Sequence, residues 1–309
     1  MTEDYIIRIG TDCSGIDAPI QALKNLKVKF SHEFSSDIDE NCYKSIVANH
    51  CPKIFFKDMR NRNSLDIPDI DIYVCGFPCQ PFSLAGERLG FNDDRGDIFY
   101  YCLDTIKAKL PKIFILENVK GLVNLENGKV LDTILKSLKN LKKYDIYWKV
   151  VNTRDYGIPQ NRERLYIVGI LEGNHEGNPF LWSKKKNIDI WDIVDFSDTK
   201  IEKIPEYLKR KKFFEQIPTN SVFVNITFTQ NSHKNANKYS PCITTNNGLW
   251  CVPMHRRANI KEYLRLQGFP DNFHQVVSDN EFKKQIGNSM SINILEHIFE
   301  NIFQNFKFP

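Results

Sequence analysis

The sequence predicts an α/β fold, strands alternating with helices, joined to a smaller irregular domain. Short apolar runs of strand length alternate with segments whose apolar residues recur at helical spacing through the first 171 residues. Clusters of Gly, Pro, Asn, Asp and Ser mark the changes between them. From about residue 172 that rhythm is lost. Residues 172–238 are basic, polar and Asn-rich, with scattered aromatics such as Trp182, Trp191, Phe213 and Phe214.

Ile6, Ile7 and Ile9 mark a first strand, and residues 10–19 form a turn before Ile20, Leu23 and Leu26 at helical spacing. Strand, glycine-bearing turn and helix is a device for bringing backbone N–H groups close to a nucleotide-like ligand. Residues 28–34 alternate as a second strand and deliver Asp37, where a carboxylate suits a ribose diol. Glu33 competes for that role. Cys42, Ile46 and Val47 mark the next helix, and His32 and His50 read as surface or packing residues. Residues 54–56 are a third strand, followed by Asp58 and Met59; Asp58 suits a turn cap as well as a ligand.

Residues 70–75 are a buried fourth strand running into Gly76-Phe77-Pro78-Cys79-Gln80-Pro81-Phe82-Ser83. Pro78 fixes its own φ and biases Phe77 toward extended backbone, so Cys79 is held in a defined direction just past a strand end. A half-buried structural cysteine is the plainer alternative. Residues 86–96 are polar and Gly-rich, too irregular for an element, and residues 97–109 are a helix with Ile98, Cys102 and Ile106 on one face. Ile113-Phe114-Ile115-Leu116 is an apolar strand ending in Glu117-Asn118-Val119. A carboxyl directly after four apolar residues is poorly solvated, which raises its pKa and suits a proton donor. A helix over 130–141, a strand over 144–151 and a strand over 165–170 follow. Between the last two, Gln160, Arg162 and Arg164 share one face of an extended segment, where guanidiniums can grip a carbonyl, a phosphate or a carboxylate.

Composition limits the classes. The chain has 309 residues, 41% hydrophobic and 26% charged, ordinary for a soluble globular protein. No apolar run approaches a membrane span, and the acidic N-terminus lacks a signal-peptide pattern. The eight cysteines show no zinc spacing or disulfide framework, so a reducing, intracellular setting without metal is expected. The net charge of +4 sits in residues 171–258, with 13 Lys and Arg against 9 Asp and Glu. Lys184-Lys185-Lys186 and Lys209-Arg210-Lys211-Lys212 concentrate it. A solvated face explains such runs, as does a polyanion-binding lobe.

The octapeptide around Cys79 resembles the nucleophile loop of the DNA (cytosine-5)-methyltransferases. Further motifs follow in that family's usual order across residues 5–170 and 239–305: Glu117-Asn118-Val119, Gln160-x-Arg162-x-Arg164, residues 239–245, residues 257–271 ending in Arg265-Leu266-Gln267-Gly268-Phe269-Pro270-Asp271, and residues 285–291 opening the final helix. The resemblance implies an S-adenosylmethionine-dependent, Rossmann-like mixed sheet with helices on both faces and an antiparallel last strand. It implies a large domain from 1–171 and 276–309 and a small target-recognition domain over 172–275, with specificity in 172–238.

Cofactor contacts carry over to Cys13, Ser14, Gly15, Ile16, Asp37, Ile38, Asp58, Met59, Pro78, Ile98, Asn288 and Met290. Cys13 stands where the family has Phe and Asp17 where it has a second Gly, so the first turn departs from the pattern. Catalytic roles fall to Cys79, which adds to carbon-6 of cytosine, and Glu117, which serves ring nitrogen 3. Arg164 holds the carbonyl oxygen, and Arg162 orients Glu117 or the thiolate. Carbon-5 then accepts the methyl group and loses its proton as Cys79 leaves. Residues 86–96 resemble a loop closing over the extruded base. The implied partner is double-stranded DNA, met by a monomer. A tRNA cytosine methyltransferase, an inactive DNA-binding homologue and an unrelated thiol hydrolase are the alternatives. Phe77, where the tRNA subfamily has a second Pro, argues for DNA. Intact Cys79, Glu117 and Arg164 argue for catalysis, and no histidine motif accompanies Cys79 as a hydrolase base.

Overall fold

A computed structural model describes residues 5–78, 98–173, 182–186, 188–210, 212–227, 236–246 and 248–305. The segment with Cys79 and the 86–96 loop lie outside the described residues, as does part of the 209–212 basic run. The chain gathers into two compact units, one drawn from Met1–Val151, Glu163–Leu181 and Ile298–Pro309, the other from Asn152–Arg162 and Trp182–His297.

The first unit is built on β1 (Ile7–Asp12), α1 (Ala18–Asn25), β2 (Phe30–Ser36), α2 (Glu40–Asn49), β3 (Ile54–Phe56), β4 (Ile72–Cys75), α3 (Ile98–Lys109), β5 (Ile113–Val119), α4 (Lys129–Lys139) and β6 (Tyr144–Asn152). Gln160–Asn161 forms β7, and Glu163–Leu171 forms β8. The seven-stranded sheet runs β3-β2-β1-β4-β5-β8-β6. β1 to β5 pair in parallel, and β8 lies antiparallel on β5. This is the mixed sheet the sequence implied.

The apolar runs explain the layering. β4 is buried throughout, as is β5 over its first four residues, so both strands need cover on two faces. Strand order runs outward from β1 through β2 to β3, and in the opposite direction from β4 to β5. Right-handed crossovers then place α1 and α2 on one face and α3 on the other. Phe34, Tyr73, Phe77, Phe99, Phe114, Leu116, Ile134 and Leu165 belong to one buried cluster of this unit. α4 joins it through Val130, Leu131, Ile134 and Leu138, which repeat at three- and four-residue spacing and leave the lysines outside.

The second unit holds α5 (Glu206–Arg210), β9 (Phe223–Asn225), β10 (Ser240–Pro241), β11 (Leu249–Cys251), β12 (Arg256–Arg257), α6 (Ile260–Gln267) and α7 (Asp279–Asn288). α8 (Ile292–Asn305) begins in it. Its core gathers Leu208, Phe213, Val224, Ile226 and Trp250. α6 starts on a capping box between Asn259 and Glu262 and ends at Gly268 in the left-handed region.

One expectation changes here. Residues 285–291 close α7 and precede α8 instead of opening one final helix. Ser289 is extended, with φ −66° and ψ 156°, and its carbonyl accepts from Arg162 and Gln267. Those side-chain donors end the helical ladder. Gly287 sits where a Cβ would lie 2.3 Å from the Thr244 carbonyl oxygen, so this approach requires glycine.

Candidate active site

β1 and β4 are neighbours, with Asp12 opposite Cys75 at their carboxyl ends. The strand order reverses between them, and ligands of open α/β sheets bind in the crevice outside such a switch point. The turn after Asp12, the Phe77-Pro78 loop after Cys75 and Glu117 near the end of β5 therefore leave from adjacent strand ends.

The first turn is unusual in its backbone. Cys13, Gly15 and Asp17 all have positive φ, 48°, 58° and 55°. Only the glycine takes this region freely, so the other two must be held by their surroundings. The Ser14 N–H bonds the Ser36 carbonyl, and the Gly15 N–H donates to Asp37 Oδ2 at 2.8 Å. The Asp39 N–H donates to Asp37 Oδ1, so the carboxylate ties the second strand to the turn. Burial pushes Asp37 above the usual carboxylate range, against the pull of these two N–H donors. Ile38 beside it is 76% exposed, whereas Ile16 is fully buried and its carbonyl bonds His50. Glu33, the competing acid, is buried and paired with Lys53. His32 and His50 are buried packing residues.

Asp17 does not present its carboxylate to a ligand. It is fully buried, and it accepts from the hydroxyls of Thr11 and Ser35, each at 2.6 Å, with His32 Nε2 at 3.7 Å. Burial raises its pKa although His32 and both hydroxyls pull it down. A folded-state pKa above the unfolded value means that the native state binds the extra proton. Asp17 therefore costs stability increasingly as pH rises from about 3.8 through its raised native value. Asp17→Asn keeps the shape and removes the charge. Melting temperatures of the two proteins across pH 4.5 to 8 should show the variant gaining on the wild type as pH rises; a constant gap contradicts the assignment.

Asp12, the residue before this turn, was not singled out from the sequence. Tyr73 donates to it at 2.6 Å, and Arg62 grips both of its oxygens, with the Nη1–Oδ1 contact at 2.7 Å. The guanidinium lies 4.9 Å from the ring centres of both Phe34 and Phe56. Asp12 follows Gly10 and Thr11, so the apolar run that marks Glu117 is missing before it and the sequence carries no comparable signal. Arg62→Ala should destabilise the fold by about 3–5 kcal/mol, because Asp12 would remain buried without its cation. Urea unfolding measures this, and a loss under about 1 kcal/mol would contradict it.

Asp58 caps a short 3₁₀ turn and binds the Arg60 guanidinium through both oxygens, which holds its pKa low. Met59 is buried, Ile98 packs half-buried on the core, and Pro78 is exposed.

Glu117 and Arg164 meet across the β5–β8 pair, with Arg164 Nε 3.3 Å from Glu117 Oε1 and both side chains largely buried. Asn118 adds a role absent from the sequence reading. Its amide donates to the Phe77 carbonyl at 2.9 Å, fastening the entry of the Pro78 loop to β5. A carboxyl oriented by a guanidinium, on the strand to which the loop's entry is fastened, is placed to exchange a hydrogen bond with a ligand.

The other predicted residues lie in the second unit. Burial alternates from Gln160 to Glu163, as the shared face required. The Gln160 amide donates to the Leu266 carbonyl and Gln267 Oε1, while its own oxygen accepts from the Ile243 N–H. Arg162 is buried and donates to the Ile243 and Ser289 carbonyls at 2.9 and 2.7 Å. These bonds join three motif segments of its own unit, and the Cys79 thiolate that Arg162 is expected to orient lies outside the described residues. Met290 is buried and Asn288 exposed. Among the described residues, no cluster of His, Cys, Asp or Glu is arranged to hold a metal ion, and no helix is long and apolar enough to cross a membrane.

The fold is that of the S-adenosylmethionine-dependent methyltransferases. The S. pombe Dnmt2 methyltransferase structure superposes with a TM-score of 0.70 at 16% identity, over 97% of this chain and 99% of that one. A putative DNA modification methyltransferase encoded within an E. coli prophage superposes with a TM-score of 0.68 at 18% identity, over 97% and 99%. Sequence places the chain more closely. Residues 11–304 match the family described as C-5 cytosine-specific DNA methylase. The chain is 36% identical to Type II methyltransferase M.NgoBI of Neisseria gonorrhoeae over 85% of its own length and 83% of the relative. It is equally similar to Type II methyltransferase M.HaeII of Haemophilus aegyptius, over 86% and 83%. The chain belongs to the C-5 cytosine-specific DNA methylase family.

Proposed function

We propose that this protein transfers a methyl group from S-adenosylmethionine to carbon-5 of a cytosine flipped out of double-stranded DNA. The Glu117–Arg164 pair, beside the loop that Asn118 fastens at Phe77, is the observation that carries this reading.

The first turn suits the cofactor. Among the described residues, and apart from Gly15's own chain neighbours, no atom lies within 4 Å of where a Gly15 Cβ would stand; Asp37 is a carboxylate at the switch point, and Ile38 is an exposed apolar neighbour. Cys13, Ser14, Gly15, Ile16, Asp37, Ile38, Asp58, Met59, Pro78, Ile98, Asn288 and Met290 are the residues assigned to hold it. When bound, S-adenosylmethionine supplies an electrophilic methyl group on its sulfonium sulfur.

Carbon-5 of cytosine is a poor nucleophile. The Cys79 thiolate adds to carbon-6 and raises the electron density of the ring. Glu117 donates to ring nitrogen 3, neutralising charge as it develops there. Arg164 holds Glu117 in place and reaches the base's carbonyl oxygen. Arg162 orients Glu117 or the thiolate, and its bonds to the Ile243 and Ser289 carbonyls hold the segment that leads into Arg164. Loss of the carbon-5 proton expels Cys79. A stacked base cannot meet these groups, so it must leave the duplex.

Residues 172–238 carry the DNA specificity within the small domain, and the exposed Lys184, Lys185 and Lys186 suit the phosphate backbone. The protein acts as a monomer inside the cell, in the restriction–modification setting that the relatives' Type II names suggest. Bisulfite sequencing of DNA treated with the purified protein and cofactor should reveal one short methylated sequence; uniformly unmodified DNA would contradict the reading. Exchanging residues 172–238 for the same interval of a relative should change that sequence and leave carbon-5 as the modified atom. An unchanged target would place specificity elsewhere, with the 86–96 loop the next candidate.

A further inference from the structure

Asp17 is a carboxylate in a place that does little to favour one. It is fully buried, its backbone lies in the left-handed region at φ 55°, and burial holds its pKa above the usual carboxylate range. The ionised form therefore weakens the fold. The ordinary reason for an aspartate at the start of a helix is also missing. Asp17 is the N-cap residue of α1, and its carbonyl accepts from the Ile20 and Gln21 N–H groups, each at 3.1 Å. Its side chain, however, caps none of the helix's own N–H groups. It turns instead to the Thr11 hydroxyl of β1 and the Ser35 hydroxyl of β2, each at 2.6 Å.

Those two bonds fix one end of the first turn. At the other end, Ser14 is tied to Ser36 through its N–H and its hydroxyl, and its carbonyl accepts from the Asp17 N–H at 2.8 Å. Gly15 lies between, with its N–H on Asp37 Oδ2 at 2.8 Å. Left free, Cys13 and Asp17 would favour negative φ, and Gly15 would swing with them.

We propose that Asp17 is a positioning residue for cofactor binding: its carboxylate latches the first turn to β1 and β2 and so holds Gly15 in ligand-ready geometry. This rests on the reading that the first turn holds S-adenosylmethionine. Asp17 does not touch the ligand and acts through Gly15. A buried acid in place of the family's second glycine gives up stability for a fixed turn, as binding and catalytic sites commonly do.

The test compares Asp17→Gly with Asp17→Asn. Glycine adopts φ 55° without strain. It also strands neither hydroxyl, because Thr11 keeps Ser14 Oγ and Ser35 keeps His32 Nε2, both at 2.8 Å. The glycine chain should melt within about 3 °C of wild type. Its affinity for S-adenosylmethionine by calorimetry should nevertheless fall at least about tenfold, as for a turn that is competent about a tenth of the time. Asparagine offers an oxygen to one hydroxyl and an amide to the other, so it should bind within about twofold of wild type. Wild-type affinity in the glycine chain would overturn the latch. An asparagine chain as weak as the glycine one would also overturn it, because the charge would then be the agent.

Turnover of the glycine chain at saturating cofactor should match wild type, since Glu117 and Arg164 lie on β5 and β8. A lower plateau at wild-type affinity would overturn the assignment to this turn. If the glycine chain does not fold, Ser35→Ala decides, because it removes one arm of the latch. It should weaken binding about threefold, and unchanged affinity would overturn the proposal.

Hydrogen exchange separates the latch from the cofactor reading. The Ser14 and Gly15 amides should exchange faster in the glycine chain with no cofactor present; equal rates would overturn the latch. Absence of binding by the wild-type protein would count against the cofactor reading, while exchange would still judge the latch.

Discussion

Cys79→Ser is expected to lower methyl transfer by on the order of 10³-fold or more, the scale seen when an enzyme loses its nucleophile. An unactivated hydroxyl has a far higher pKa than a thiol and is a weaker nucleophile toward carbon-6, so the step that prepares carbon-5 fails. The substitution should leave the fold intact. The loop's entry is anchored upstream of it, by Asn118 on the Phe77 carbonyl and by burial of the Phe77 ring against Phe99, with centroids 5.9 Å apart. Cofactor and DNA binding should therefore persist, measurable by calorimetry and gel shift, while incorporation of labelled methyl into DNA disappears. Turnover within about tenfold of wild type would remove Cys79 from the mechanism.

Glu117→Gln should lower turnover by about 10²- to 10⁴-fold, the usual contribution of a positioned proton donor. Glutamine can still hydrogen-bond the ring but is a far weaker acid than a carboxyl, so a large loss separates proton donation from simple contact. Arg164→Ala should act through the same group, because it removes the guanidinium 3.3 Å from Glu117. The double variant is then expected to be scarcely slower than Glu117→Gln alone, since residues that work as a unit are not additive. Single-turnover rates for the three variants give the cycle. Multiplicative losses would show that Arg164 and Glu117 act separately.

The sheet was legible because its strands are short apolar runs bounded by turn formers, and the parallel order follows from helices inserted between them. Glu117 stood out because a carboxyl directly after Ile113-Phe114-Ile115-Leu116 has few places to go. Asp12 has no such run before it, since Gly10 and Thr11 intervene, and its partner Arg62 comes 50 residues later, in a loop with no periodicity to point back to it. Asp17 was legible as a departure from the family and illegible in direction. Its side chain turns inward because the backbone takes φ 55° there, and no local pattern announces that angle. For Arg162 the alternating face was readable, but its bonds go to backbone carbonyls at Ile243 and Ser289, which carry no side-chain signature. The break between α7 and α8 has the same origin, since it is a distant donor that takes the Ser289 carbonyl.

The claim that this chain methylates carbon-5 of cytosine in DNA is tested most directly by the product itself. Unmethylated double-stranded DNA would be incubated with the purified protein and S-adenosylmethionine, digested to nucleosides and separated by liquid chromatography with mass detection. The expected product is 5-methyldeoxycytidine that grows with time and requires the cofactor. A methyl group on the exocyclic nitrogen of cytosine or on adenine, or no methylated nucleoside when the cofactor is bound, would contradict it.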